Sequence, residues 1–231
     1  MTEKEFQRIK KKYNPPPGTL LRVGKMVECG SHQSREQLYR VIEYSQKYEF
    51  CPVVTSKTLT WDKRVADGII ASRGILHISL GNDKLEPGPV YQGHTNRNRL
   101  ARAIRYKRYG TPVQVRAVVD VTQPMDEFYK KVLQYMGKSG ILLTPLYYNS
   151  KRVFELARQD ISWDEAKNSG LFTYVKGALH PNIIHDDWKP LKHRCGLMPN
   201  GSMACNNCVA RKLDFKKKEY KQHLINVAWN V

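Results

Sequence analysis

Cys195, Cys205, Cys208 and His223 follow the spacing C-x9-C-x2-C-x14-H near the end of the chain. Thiolates separated by two intervening residues grip one soft metal ion without strain, and Gly196, Pro199 and Gly201 favour a tight knuckle around it. Tetrahedral zinc would take the three sulfurs and a fourth ligand, His223 or His193. An iron–sulfur cluster would take the same thiolates and leave one iron open or held by another group. Three unligated cysteines are the plain alternative, but a polar, glycine-bearing segment suits a core poorly. Cys29 and Cys51 stand at predicted strand ends and read as buried structural thiols.

Composition narrows the context. The 231 residues fit one large domain, or one with an appendage, and 41% hydrophobic content supports a substantial core. Apolar runs fall short of the roughly 18–20 residues that span a bilayer, and the opening MTEKEFQRIKKKYNPPPG lacks a secretory apolar stretch. No membrane association is expected. A cytoplasmic location follows, where thiols stay reduced and clustered cysteines favour metal over disulfides. The net charge of +18 attracts polyanions through counterion release and makes nucleic acid an expected partner. The charge runs through KKK at 10–12, RNRLARAIRYKRYG at 97–110 and KKK at 216–218.

The elements that must position these groups alternate in type. Helices are predicted over 3–13, 35–49, 61–68, 96–109 and 125–136. Between them come apolar strands at 19–27, 51–57, 75–80, 113–121 and 141–148. Nearly continuous apolar strands joined by crossover helices predict a parallel sheet covered on both faces. Beyond 150 the rhythm fades into helices over 150–157 and 161–170, an irregular stretch through PNIIHDDWKP, and a lysine-rich end. The expected fold is α/β, an incomplete parallel (β/α) barrel over 1–150 with an irregular extension over 151–231 that carries the cysteine knuckle and basic tail.

This order of elements resembles the body of a radical S-adenosylmethionine enzyme of the partial TIM-barrel type. LLRVGKMVECGSH is similar to that family's second strand and loop, CPVVTSKTL to its third and ILHISLGND to its fourth. RLARAIRYKRYGTPVQVRAVVDVTQP resembles the helix and fifth strand, and GILLTPLYY the sixth. The resemblance implies cofactor contacts from Glu28, Cys29 and Gly30 near the amino group. It implies others from Ser79 and Asn82 near ribose or carboxylate, with Arg99 or Arg116 pairing the carboxylate. Parallel α/β folds do place ligands beyond the carboxyl ends of their strands. For each such residue, a hydrogen bond to loop backbone is the competing role.

The family's cluster loop, C-x3-C-x2-C after the first strand, does not occur in the sequence. The resemblance then implies a split or truncated member whose partner chain supplies that strand, its [4Fe–4S] cluster and the S-adenosylmethionine loop, or a decayed member whose body remains as a binding scaffold. Such an enzyme would abstract hydrogen from a nucleotide or nucleic-acid substrate, and the isolated chain would be inactive. A non-catalytic, zinc-stabilised nucleic-acid-binding protein is the alternative. Tyr91, Tyr106, Tyr109, Tyr147, Tyr148 and Trp188 offer faces for stacking bases, although core roles suit them as well. His180, His185, Asp186, Asp187 and His193 could supply a metal ligand or an acid–base pair, although such irregular spacing suits loop residues better. Walker, dinucleotide-binding and nucleophile-elbow motifs do not occur.

Overall fold

The computed structural model describes residues 2–23, 28–81 and 93–191, and the backbone of Ile225–Asn226. The fold class is α/β, an incomplete (β/α) barrel whose five main parallel strands are joined at one edge by a short sixth. Among the described residues the chain divides into two compact units, one of 2–79 and 97–114, the other of 80–96 and 115–191.

The first unit opens with α1 (Glu3–Tyr13), started by a reciprocal capping box between Thr2 and Glu5 and ended by Asn14 in the left-handed region. Its single buried side chain, Phe6, packs among the rings of Tyr44, Tyr48 and Phe50. β1 (Thr19–Val23) leads to α2 (Arg35–Lys47), whose Leu38, Val41 and Ile42 recur at helical spacing and are all buried. β2 (Phe50–Ser56) then pairs in parallel with β1, setting Thr19 beside Phe50 and Val23 beside Val54. α3 (Lys63–Ala71) starts two residues later than its apolar pattern suggests. Asp62 accepts the Val65 amide and so fixes the start. β3 (Ile75–Leu80) pairs with β2, setting Thr55 beside His77. α4 (Asn96–Tyr109) stops at Gly110, whose φ of 96° ends the helix.

In the second unit, β4 (Val113–Val119) pairs in parallel with β5 (Ile141–Pro145), Val115 beside Ile141. α5 (Glu127–Met136) joins them, capped by Asp126 on the Tyr129 amide. α6 (Lys151–Ala157) and α7 (Trp163–Asn168) follow, the latter opened by a Ser162–Glu165 capping box. The stretch expected to be irregular contains a hairpin, β6 (Phe172–Val175) and β7 (Ala178–Pro181). Lys176 and Gly177, both at positive φ, form its two-residue turn. Tyr148, Phe154, Trp163, Phe172 and Leu179 close a small core around it.

The final element is β8 (Ile225–Asn226), which pairs in parallel with Leu21 and Arg22 of β1.

Candidate functional site

The strand ends of the first unit are joined by one carboxylate. Glu28 Oε1 accepts the Gly30 amide at 2.8 Å and the Ser56 hydroxyl, while Oε2 accepts the Lys57 amide at 2.8 Å. Ser56 Oγ in turn accepts the Leu59 and Thr58 amides, at 2.8 and 3.2 Å. Residues 28–30 and 56–59 are thus held together by a chain of polar contacts. Gly30 permits this closeness, since a β-carbon there would lie 2.6 Å from both Leu59 Cβ and Leu59 N. Arg35 closes the outer side with Nη1 on Asp62 at 2.8 Å and Nη2 on Gly30 O and Thr60 Oγ1. Burial raises the Asp62 carboxyl, but hydrogen bonds from Tyr39, the Val65 amide and Arg35 outweigh it and hold the group below its ordinary value.

Thr55, His77 and Ser79 share one face of the sheet, because Thr55 pairs with His77 and side chains alternate along each strand. All three are buried, a polar stripe on strands otherwise filled with Val, Ile and Leu. The hydroxyls of Thr55 and Ser79 have no hydrogen-bond partner among the described residues. Arg99, only 1% exposed, reaches this wall from α4 and donates Nη1 to Ser79 O at 3.4 Å. Buried hydroxyls lacking partners cost free energy, of order 1–3 kcal/mol each, unless something else satisfies them. A bound ligand with oxygen or nitrogen groups would do so, and Arg99 adds a cation suited to a carboxylate or phosphate.

The expected contacts therefore divide. The structure brings Ser79 and Arg99 together. Glu28 and Gly30 lie at the neighbouring strand ends, where Glu28 already accepts three donors. Arg116 belongs to the second unit, where its Nε donates to Thr144 Oγ1 at 3.1 Å. Asn82 lies outside the described residues, as do Cys195, Cys205, Cys208, His223, His193 and Tyr91. Cys29 and Cys51 are buried free thiols, as expected. Cys29 Sγ donates to Thr55 O at 3.2 Å, and burial, with Glu28 beside it, pushes that thiol up. Tyr106, Tyr148 and Trp188 are core residues, whereas Tyr109 and Tyr147 are exposed. Tyr147 stacks on His180 at 5.3 Å.

Sequence reasoning missed three arrangements. Thr55 and His77 carried no signal until strand pairing set them side by side. Asn96 is buried and clamps Gly81, accepting its amide at 3.2 Å and donating to its carbonyl at 2.6 Å. In the second unit, Arg158 lies between Asp120 and Asp160, and Tyr148 also donates to Asp120.

The described residues supply no ligand set for a cluster or zinc, since none groups three His, Cys, Asp or Glu side chains. The polar wall offers hydroxyl and guanidinium groups to a ligand that carries oxygen or nitrogen atoms. No described helix is long and apolar enough to cross a membrane.

Parallel strands joined by crossover helices, with polar groups at the strand ends, define an incomplete (β/α) barrel, and the likeness of this chain to solved structures is a likeness of fold. The particular structures it is similar to are those of spore photoproduct lyase. The enzyme complexed with dinucleoside spore photoproduct superposes with a TM-score of 0.50 at 13% identity, over 81% of this chain and 61% of that one. A mutant with bound AdoMet and dinucleoside spore photoproduct gives 0.49 at 13% identity over the same shares. The chain thus spans about three fifths of the length of these solved chains. No protein-family profile matches it, and no curated protein matches it by sequence.

Proposed function

We propose that this chain is a radical S-adenosylmethionine-type subunit that binds S-adenosylmethionine and acts on nucleotide or nucleic-acid substrates together with a completing segment or partner. The observation that carries this reading is the buried polar wall of Thr55, His77 and Ser79 under Arg99, set in a barrel body of that superfamily's fold. In this reading Arg99 and Ser79 hold the carboxylate of the cofactor, and Glu28 and Gly30 shape the loop beside it. Bound to a reduced cluster, the cofactor supplies the radical chemistry. The cluster would come from the completing partner, and Cys195, Cys205 and Cys208 would hold an accessory iron–sulfur or zinc site.

The completing partner answers the C-x3-C-x2-C loop that the sequence does not contain. Leu20, Leu21 and Val23 of β1 are buried like an inner strand, and β8 pairs with Leu21 and Arg22 on the side away from β2. The net charge of +18 supports a polyanionic substrate, and the dinucleoside in the spore photoproduct lyase complex is consistent with that class.

Calorimetric titration of the full chain with S-adenosylmethionine, before and after anaerobic iron–sulfide reconstitution, tests the reading. Binding that disappears in Ser79→Ala and Arg99→Gln supports it. Zinc as the sole bound metal, with no cofactor binding in either state, would sink it and leave the zinc-stabilised nucleic-acid binder.

A further inference from the structure

α4 reads NRNRLARAIRYKRY, with five arginines, one lysine and no acid. Arg97, Ala101, Arg105 and Arg108 recur at intervals of four, four and three, so they line one face of the helix. The three arginines are exposed and form no ion pair among the described residues. At 1.5 Å per residue the stripe runs about 16 Å, the rise of roughly five nucleotides along one strand.

The stripe ends on aromatic faces. Arg105 lies over the ring of half-buried Trp61 at 4.8 Å, and Trp61 meets Tyr109 edge-on at 5.2 Å. Tyr109 is 39% exposed. Trp61 is fixed from below by buried Tyr106, with ring centroids 4.9 Å apart, and Tyr106 is itself tied to Thr60 O. Lys63 stands over Tyr109 at 5.8 Å, and Arg64 over Tyr39 at 4.2 Å. The nearby acids are already engaged, Asp62 by Arg35 and Tyr39, Asp67 by Lys63 and Tyr109.

We infer that the α4 stripe and the Trp61–Tyr109 platform form a binding surface for single-stranded nucleic acid. Arg97 and Arg108 track phosphates, Arg105 leaves the Trp61 ring for a third, and the ring face it uncovers takes a base beside Tyr109. A solvated basic helix needs no aromatic terminus, and a duplex offers no free base face to stack. The inference rests on the nucleic-acid part of the function proposed above and assigns it a place.

The test uses the full chain and a labelled oligodeoxythymidine, with fluorescence anisotropy read across a salt series. Each phosphate that a cation neutralises on a single strand adds roughly 0.7 to the log–log salt slope. Replacing Arg97, Arg105 and Arg108 by alanine should therefore lower that slope by about 2. Trp61→Ala should weaken binding about tenfold or more while leaving the slope unchanged. Lys11→Ala with Lys12→Ala, on α1, should change neither beyond the shift common to removal of any charge. Wild-type slope and affinity in the triple arginine variant would overturn the surface while leaving nucleic-acid binding itself intact. Equal competition by duplex DNA would overturn the single-strand assignment. Failure of the wild-type chain to bind at all would overturn the inference together with the nucleic-acid part of the proposed function.

Discussion

Arg158 and Asp120, 38 positions apart, form an ion pair of 2.8 Å whose side chains are only 4% and 12% exposed. Arg158 also holds Asp160 through Nε and Nη2, both at 2.7 Å, and Thr122 Oγ1 through Nη1 at 2.9 Å. Burial lowers the guanidinium, but its hydrogen bonds to Asp160 and Asp120 more than restore its charge. Removing one partner strands a buried charge, at a cost of about 3–5 kcal/mol. Asp120→Ala should therefore lower stability in urea unfolding by that order. Asp160→Ala, on the exposed side, should cost far less. Equal costs would show that burial does not set the strength of this network.

Gly30 tolerates no side chain. An alanine there must displace Leu59 or Ser56 and disturb the Glu28 contacts. Gly30→Ala should destabilise by about 1–3 kcal/mol, the usual range for overpacking. Gly177→Asn, in an open turn that suits asparagine, should change stability little. Thermal melts of the two variants check the contrast.

Ser79→Ala separates a ligand wall from a structural one. Its hydroxyl has no partner among the described residues, so the unliganded protein should hold or gain stability on losing it. The stabilisation conferred by added S-adenosylmethionine should shrink at the same time. A melting temperature that falls without ligand would show that the hydroxyl serves the fold.

Acid should act through carboxylates held below their ordinary values. Hydrogen bonding from Arg158 lowers Asp160, and the contacts described above lower Asp62 despite burial. A depressed carboxyl contributes stability above its unfolded value, about 3.9, and loses it as pH falls through the folded value. The melting temperature should stay nearly flat from pH 7 to 5 and drop below about pH 4. Asp62→Asn keeps a helix cap but not the charge, so its deficit relative to wild type should narrow in acid. A deficit that is constant across pH would contradict this.

Cys29 should resist alkylation in the native state. Burial pushes its thiol up, and the thiolate is the reactive form. Peptide mass spectrometry after iodoacetamide at pH 8 should find Cys29 modified only in denaturant. Rapid native modification would mean that this strand end opens.

Much of the scaffold was legible in the sequence because it is encoded locally. β3 and α4 occupy the spans read from apolar period and turn residues, 75–80 and 96–109. Boundaries moved where one residue overruled the pattern. The strand expected to reach 148 ends at Pro145, which cannot donate to a ladder. Asp62 delays α3 by capping it. The β6–β7 hairpin was missed because its strands are only four residues each, too short to show a period, leaving Lys176–Gly177 as the main signal.

The sequence by itself determined the alternation of strands and helices, the basic character of α4 and the burial of Cys29 and Cys51, since periodicity and composition carry them. It also set out Cys195, Cys205 and Cys208 by spacing, a motif that lies outside the described residues. Only the tertiary structure decided that Glu28 meets Ser56 across 28 positions, that Thr55 sits beside His77, that Arg99 reaches the Ser79 carbonyl, and that Arg158 finds Asp120. Those meetings depend on strand register and on the closure of long loops. Such properties belong to the folded chain as a whole, and no short window of residues contains them.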